Sequence, residues 1–591
     1  MSGKAKNMLL KVSIGCWLLV TFAALACMYQ LWQQRERVLY FGKSPAEQRR
    51  IVFERAGLPP VLADKTAELA AQWPAALRYK ARGDANALSY IQYLLIPRIP
   101  VKKAEHILDV KGGTLTVSGP PAGQPDTASL SEERSSPKGL ILSFAVLLGW
   151  AALLRKMWRG RATWPECLAL ACLFITLLAL PSRLFFLSAA PAFGGAIILA
   201  LVGWAMLLGN ALVSRLSPPA RPAPAAMPGR ERLLAGLLGL IILLAVLWSF
   251  LMAVVVVPDD WDAWAMWGSK AKVLALGSGP LKDVTRFGHP DYPLLWPTIW
   301  ALSGWLAGGW EECWSKGWGA VFLLLCAWEM LAAVRRQSGS QLAGFFAAAL
   351  FVSVPNVPLV ASWGYAEAPL WLMMTCGLSA FLRWQSDSRL ADAVLAALFA
   401  AGAALTKNEG LLFALLLGLM LLGSGQLKAA VLYLLTFAGC TAFWFWWSRL
   451  HLDLSSQAAA GLHWQAASLR HAAGRLLPAG KAIYVMWKDV RQWNLVGFGI
   501  IFALVAILFR RKDDLRPLFL PIALLAGYLA IILCSSNEIY WQIGTAWNRL
   551  TVQVLPLLLV LLVPPVWEMM SNARGDHGAD SQKDANRQGA G

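Results

Sequence analysis

Residues 254–274 read "VVVVPDDWDAWAMWGSKAKVL", an apolar β-branched run that stops at Pro258 and passes at once into Asp259, Asp260 and Asp262 set among Trp261, Trp264 and Trp267. Apolar chain ending in acid and tryptophan is the pattern of a membrane span leaving the hydrocarbon, because indole rings favour the lipid–water interface. The composition agrees: 57% of the 591 residues are hydrophobic and 15% charged, well away from a soluble domain. Stretches near the length needed to cross about 30 Å of hydrocarbon recur along the chain. They lie near 8–31, 139–154, 165–181, 185–209, 233–257, 313–334, 341–356, 366–383, 389–405, 409–424, 428–447, 496–510, 517–534 and 551–568. The expectation is an all-α polytopic membrane protein of about 14 helices with a small α+β extracytoplasmic domain.

The net charge of +19 does not point to nucleic acid, because Lys and Arg crowd into short loops between spans. Lys4, Lys6 and Lys11 precede the first span; Arg155, Lys156, Arg159 and Arg161 follow the second. Arg215, Arg221, Arg230 and Arg232 lie before the fifth, Arg335 and Arg336 follow the sixth, and Arg510, Arg511 and Lys512 follow the twelfth. All five clusters fall on one side of the alternation. The positive-inside rule makes that side cytoplasmic, with both termini there, and puts the opening stretch on the extracytoplasmic face of the cytoplasmic membrane. The parity requires residues 294–309 (LLWPTIWALSGWLAGG) to lie in the interface or re-enter, for which their proline, glycines and tryptophans are suited. The first span has no small-residue cleavage site and reads as a retained anchor. The nine cysteines form no CxxC and fall mostly inside predicted spans, as packing residues do.

These features divide the chain into a membrane anchor (1–31), an extracytoplasmic α+β domain (32–138), further membrane helices (139–216), a Pro/Ala/Arg cytoplasmic linker (217–232), a membrane module (233–568) and a disordered cytoplasmic tail (569–591). In the α+β domain, Ser44-Pro45-Ala46-Glu47 is a capping-box helix start, and helical pattern continues to about Tyr93. HILDVKGGTLTVSG (106–119) alternates around Gly112 and Gly113 as a hairpin does. About a hundred residues bury only a modest core, so this domain is expected to dock on the membrane module.

Charged motifs gather at the outer ends of several spans. On a helix, Asp262 and Met266 share a face and Lys270 lies two turns on. GHPDYPLLWP (288–297) presents His289, Asp291 and Tyr292 on a backbone that its prolines hold extended. SWGYAEAPL (362–370) puts Glu367 at the start of one span, LTKNEGLLF (405–413) puts Lys407 and Glu409 at the end of another, and SSNEIYWQIGTAWNRLTVQVLP (535–556) puts Glu538 and Arg549 before the last. Each alone reads as well as a solvated loop charge, a rigid turn or an interfacial tryptophan belt. The residues at 449–495, with His451, His463, His471, Arg470, Arg475 and Lys488, read equally as a basic lid over a lipid phosphate or as a solvated loop.

The set resembles the GT-C class of glycosyltransferases, specifically the lipid-phosphate-sugar-dependent group that includes protein O-mannosyltransferases and lipid A aminoarabinose transferases. The resemblance rests on PDDWDAW after the module's first span, HPDYPLLWP, GYAEAPL, LTKNEG and WNRL before the final helix, and it covers residues 233–568. It implies transfer of a sugar from a polyprenyl-phosphate donor to a glycan, lipid or protein acceptor at the extracytoplasmic face, with inversion and no covalent intermediate. Many members carry Asp-Glu followed by Tyr where this chain has Asp-Asp-Trp-Asp, so either Asp260 or Asp262 can correspond to the family carboxylate, with Asp259 beside them. The TK element here continues Asn-Glu-Gly where relatives often have Gly-Pro. The chemistry needs a base on the acceptor hydroxyl and positive charge on the departing phosphate. Asp262, then Asp260, is the expected base. Lys407 and Arg549 are the expected phosphate ligands, with Lys270 and Lys272 as alternatives and His289, Asp291, Tyr292, Glu367 and Glu409 lining the substrate site. Asp260, Asp262 or Asp291 are the carboxylates available to a magnesium or manganese ion.

Three competitors remain, one of them a polymerase or ligase of another membrane glycosyltransferase class, for which an arginine-and-histidine site without the early carboxylates is expected. A transporter predicts charge at mid-membrane in broken helices, whereas these spans are nearly free of charge in their middles. A non-catalytic polysaccharide- or lipid-assembly protein would tolerate loss of Asp262, Lys407 and Arg549.

Overall fold

The structure is a computed structural model. It describes residues 40, 42–73, 77–96, 99–100, 104–111, 114–119, 136–158, 160–186, 188–216, 229–277, 279–452, 466–494, 496–508, 516–535 and 537–588. The span expected at 8–31, most of the 217–232 linker, and the basic clusters at residues 4–11 and 510–512 lie outside the described residues.

The protein is a bundle of apolar helices. Among the described residues eight helices are long and apolar enough to cross a membrane, or nine if one bent pair forms a single span. They include α4 (Lys138–Met157), α5 (Trp164–Phe186), α6 (Ala190–Leu216), α7 (Gly229–Val255), α10 (Trp318–Ser338, within the span 314–338), α16 (Leu427–His451), α19 (Phe519–Cys534) and α20 (Asn548–Gln588). The bent pair is α11 (Gln341–Val352) with α12 (Asn356–Ser362), broken by 68° at Pro355, where proline removes a backbone donor. Four further predicted spans fall on the helices α13 (Glu367–Asp387), α14 (Leu390–Thr406), α15 (Glu409–Gly423) and α18 (Val496–Leu508). The last three are short apolar helices. Helix α20 continues to Gln588, through the tail read from sequence as disordered.

Chain order puts the site motifs at one end of this bundle and the arginine clusters at the other. Helix α7 begins beside Arg230 and ends at Val255; α10 runs away from the site to Arg335 and Arg336; α13 starts at Glu367; α14 returns to Lys407.

At the arginine-rich end the bundle carries a buried ionic network that the sequence reading, with its charge-free span interiors, did not anticipate. Arg383 reaches Glu166 at 2.7 Å and Asp392 at 3.1 Å, and Arg336 reaches Glu329 at 2.8 Å. Thr163 and Ser379 donate to Glu329 as well. Charges this deep persist only when paired and hydrogen-bonded, and here the pairing ties α5 to α10, α13 and α14.

Of the two forms expected of 294–309, interfacial or re-entrant, the buried one is favoured. The segment forms α9 (Leu295–Ala307), every residue from Leu295 to Gly304 is buried, and it ends at Gly308 in the left-handed conformation, φ +85°. Trp296 packs tilted against Trp300 and edge-on to Phe322, and Ser303 shares a 2.7 Å hydrogen bond with Ser143 of α4. It is thus a core element of the site end, with Trp296 and Trp300 fully buried and Trp305 partly so. At about 1.5 Å per residue, its 13 residues are also too short to cross.

The α+β domain contains α1 (Pro45–Arg55), α2 (Val61–Gln72), β1 (Arg78–Gly83), α3 (Ala85–Leu95), β2 (Ile99–Pro100), β3 (His106–Lys111) and β4 (Thr114–Ser118). The sheet order is β2-β1-β3-β4, with β1 parallel to β2 and β3, and β3–β4 antiparallel, Ile107 opposite Ser118. The capping box forms as expected: Glu47 N–H donates to Ser44 Oγ at 3.3 Å and Ser44 N–H to Glu47 Oε2 at 2.7 Å. Strand β1 interrupts what had read as continuous helix; Tyr79 is its buried anchor. The domain is docked on the membrane module through Arg49–Glu312 at 3.0 Å, Arg78–Asp283 at 2.9 Å, and an edge-on contact of Tyr90 with Trp264, ring centres 4.6 Å apart.

Candidate functional site

Proline at 258 stops α7, and the acidic loop then enters a π-helix, Asp262–Gly268, before α8 (Ser269–Leu276). The wider turn breaks the helical register in which Asp262 and Met266 would share a face. Asp262 keeps some exposure while Met266, Trp264 and Trp267 are buried. The tryptophans therefore serve as core and not as an interfacial belt; only Trp261 stays exposed.

The three aspartates diverge. Asp259 turns to Arg55 of α1 at 3.9 Å, away from the other two. Asp260 accepts a hydrogen bond from the Tyr365 hydroxyl. Burial pushes its carboxyl above the usual carboxylate range, and the Tyr365 hydrogen bond pulls it back. Asp262 forms an ion pair with Arg549.

Arg549 joins the rest of the cluster. Its Nη1 is 3.8 Å from Glu367 Oε1 and its guanidinium lies 5.0 Å from the centre of the Tyr365 ring. The same Glu367 oxygen is 3.0 Å from Lys407 Nζ, which is 2.9 Å from Glu409. Two cations and three carboxylates thus form one chain, Asp262–Arg549–Glu367–Lys407–Glu409, drawn from four segments. Glu367 Oε2 and Glu409 Oε2 are buried without a hydrogen-bond partner, and buried acceptors of that kind call for a donor. Tyr528 of α19 also has a buried, unpartnered hydroxyl within electrostatic reach of Glu409 and Lys407.

The GHPDYP segment closes one side. It is a turn and not an extended strand: His289 has φ +50°, and Tyr292 N–H donates to His289 O at 3.1 Å. Few non-glycine residues take that conformation; here the Lys270 ammonium group caps the His289 carbonyl and also reaches Tyr292 O at 3.4 Å. Burial pushes the Lys270 amine down to about 7, against the pull of Asp291. Burial also lowers His289. Tyr292 is stacked between Trp267 and His289, with Lys407 Nζ 6.0 Å from its ring centre, and Asp291 accepts from Asn408 Nδ2 at 2.7 Å.

The structure therefore brings together Asp260, Asp262, His289, Asp291, Tyr292, Glu367, Lys407, Glu409 and Arg549. Lys270 supports their backbone, and Asp259 faces the α+β domain. Lys272 does not belong to the cluster: it is buried against Tyr93 of α3, 5.0 Å from the ring centre and 3.4 Å from its carbonyl oxygen. Among its described residues the 449–495 segment is mostly helix α17 (Ala466–Trp487); its Arg475 and His471 bind the carbonyl of Ser535, Arg475 also that of Asn537, and His451 stacks on Trp447. His463 lies outside the described residues. Glu538 caps the turn at Ile539. Tyr365 and Asn408 were missed, although each stands within two residues of a motif residue. The seven cysteines among the described residues are free thiols, five of them buried.

Among the described residues no group of three His, Cys, Asp or Glu side chains could hold a metal ion. Asp260, Asp262 and Asp291 each already take a hydrogen bond or ion pair from a different side chain. A magnesium or manganese ion held there by one or two of these carboxylates would displace the partner each now has.

No protein-family profile and no curated protein matches the chain. The structure is similar to the crystal structure of ArnT from Cupriavidus metallidurans bound to undecaprenyl phosphate, with a TM-score of 0.41 and 16% identity. The likeness covers 56% of this chain and 60% of that one. At this level of likeness the functional reading rests on the site's own geometry.

Proposed function

We propose that this protein is a membrane glycosyltransferase that moves a sugar from a polyprenyl-phosphate donor to an acceptor hydroxyl at the extracytoplasmic face of the cytoplasmic membrane. The observation that carries the reading is the ion chain Asp262–Arg549–Glu367–Lys407–Glu409 at the bundle end opposite the arginine clusters. It supports the reading because a carboxylate and two cations lie side by side, as an attacking hydroxyl and a departing lipid phosphate require.

In this reading the departing phosphate draws Arg549 and Lys407, Arg549 by a bidentate contact. Arg549 leaving Asp262 frees that carboxylate to take the proton of the attacking hydroxyl. The acceptor oxygen bonds to the anomeric carbon as the bond from that carbon to the phosphate oxygen breaks, with inversion. The unpartnered oxygens of Glu367 and Glu409 are acceptors for sugar hydroxyls. The orientation follows from the positive-inside rule.

The test is mass spectrometry of lipid-linked and surface glycans from a deletion strain complemented with wild type or with Asp262→Asn at equal membrane levels. One sugar addition should vanish in the deletion and return with wild type alone. Identical profiles in all strains would refute the transferase reading, and full complementation by Asp262→Asn would remove that residue as the base.

A further inference from the structure

We propose that Gln48 is a positioning residue for the Asp259–Asp262 loop, so that the α+β domain completes the site rather than merely covering it. The inference rests on the transferase reading for its catalytic consequence, while the positioning itself is a statement about the backbone.

Val255 is the last residue of α7, and carbonyls at a helix C-terminus have no partner within the helix. Pro258 has no N–H to offer and prevents the helix from continuing. The Val256 N–H still donates to Met252 O at 3.2 Å, but the carbonyls of Val255 and Val256 and the N–H of Val257 depend on groups from elsewhere. Gln48, buried on α1, supplies two: its Nε2 donates to Val255 O at 2.9 Å and its Oε1 accepts from Val257 N–H at 3.0 Å. Lys316 of the membrane module donates to Val256 O between them. Two side chains, one from each domain, thus fix three consecutive residues just ahead of Asp260.

Gln48 is itself held in place, since its Nε2 also reaches Tyr40 O at 3.1 Å and Lys43 O at 3.2 Å. A carboxamide suits this role because it is uncharged and offers a donor and an acceptor at one end. The clamp acts on the chemistry through short links. Arg55 meets Asp259, and Tyr90 packs edge-on to Trp264 inside the π-helix. A Cβ on Gly364 would come within 3.0 Å of the Lys316 stem, and Gly364 directly precedes Tyr365, the donor to Asp260.

The experiment uses the full-length protein in lipid nanodiscs, as wild type, Gln48→Leu and Gln48→Glu. The first readout is hydrogen–deuterium exchange in peptides covering 255–268. The second is kcat and KM for polyprenyl phosphate release from a panel of synthetic polyprenyl-phosphate hexoses and pentoses, with a cell-envelope extract supplying the acceptor hydroxyls. Gln48→Leu should speed exchange at 255–262 by about tenfold or more. It should lower kcat by about a hundredfold, the usual cost of a 1 Å misplacement, with KM little changed. In Gln48→Glu a carboxylate faces three carbonyls and loosens the loop at pH 8. Its protonated form again has one donor and one acceptor, so exchange and kcat should return toward wild type as the pH falls to about 6, because burial raises a carboxyl pKa. Gln48→Leu should show no such recovery, which separates a positioning role from a general loss of packing. Unchanged exchange at 255–262 in Gln48→Leu, unchanged kcat despite faster exchange, or no pH recovery in Gln48→Glu would each overturn the proposal. If wild type releases no polyprenyl phosphate from any donor, that failure belongs to the transferase reading; exchange and its pH recovery then decide the positioning claim alone.

Discussion

Replacing Glu367 by Gln should weaken the empty protein and yet strengthen its response to a lipid phosphate. One Glu367 oxygen lies 3.0 Å from Lys407 Nζ and 3.8 Å from Arg549 Nη1. At an effective dielectric of about 20 these contacts are worth about 5.5 and 4.4 kcal/mol before desolvation is charged against them. Removing one partner of a buried ion pair costs about 3–5 kcal/mol net. Glu409 still pairs with Lys407 at 2.9 Å and Asp262 with Arg549, which puts the expected loss at the low end, about 3 kcal/mol. A phosphate reaching both cations would lie about 5 Å from the Glu367 carboxylate, a repulsion of about 3 kcal/mol at the same dielectric. Allowing half of that for screening, its removal tightens phosphate binding about tenfold. The assay is thermal unfolding of purified protein in nanodiscs with and without undecaprenyl phosphate. Glu367→Gln should melt lower when empty and gain more than wild type from the ligand. An unchanged melting temperature without ligand, or no gain with it, would refute the claim that Glu367 holds both cations in the empty site.

Tyr365→Phe removes the hydrogen bond that offsets the burial of Asp260. The Asp260 carboxyl should rise further, and the acid-side fall of kcat/KM should move to higher pH; an unshifted limb would exclude Asp260 titration from the profile. The Lys270 amine is pushed down to about 7, against about 10.4 in an open chain. Opening the 288–294 turn therefore takes up a proton between those values, and its stability should rise with pH across that window by up to about 1.4 kcal/mol per unit. Exchange at 288–294, corrected for intrinsic rate, should slow from pH 7.5 to 9.5 in wild type and be flat in Lys270→Met. Arg383→Met takes the cation from Glu166 and leaves Asp392 to Arg161 at 3.9 Å, and should cost about 3–5 kcal/mol in chemical denaturation. Adding Glu166→Gln should recover part of it, since one uncompensated buried charge is removed.

Motif by motif, most of the site could be read from the chain. PDDWD, HPDY, YAE, TKNE and WNR each stood at a span end, and the alternation of basic loops required those ends to share one face. What a motif cannot carry is the direction of a side chain. Asp259 and Asp262 are three residues apart, yet one faces Arg55 and the other Arg549. The π-helix that starts at Asp262 then buries Trp264 and Trp267. Lys270 and Lys272 looked equivalent at two residues' spacing, but one supports the HPDY turn and the other is clamped to Tyr93. The buried network at the arginine-rich end was hidden for a related reason: Glu329 and Arg383 are tolerable in apolar helices only because Arg336 meets the first and Glu166 and Asp392 the second.

By itself, then, the sequence determined the bundle of apolar helices, the separation of its two ends and the capping box that starts α1, because hydropathy, charge placement and capping act over a few residues of chain. Tertiary structure alone decided which carboxylate meets which cation, that 294–309 is core and not interface, and that Gln48 reaches across more than two hundred residues of sequence to Val255 and Val257. Those outcomes depend on contacts between distant segments, whose energies arise only when packing has excluded water and left each buried polar group to find its partner in the fold.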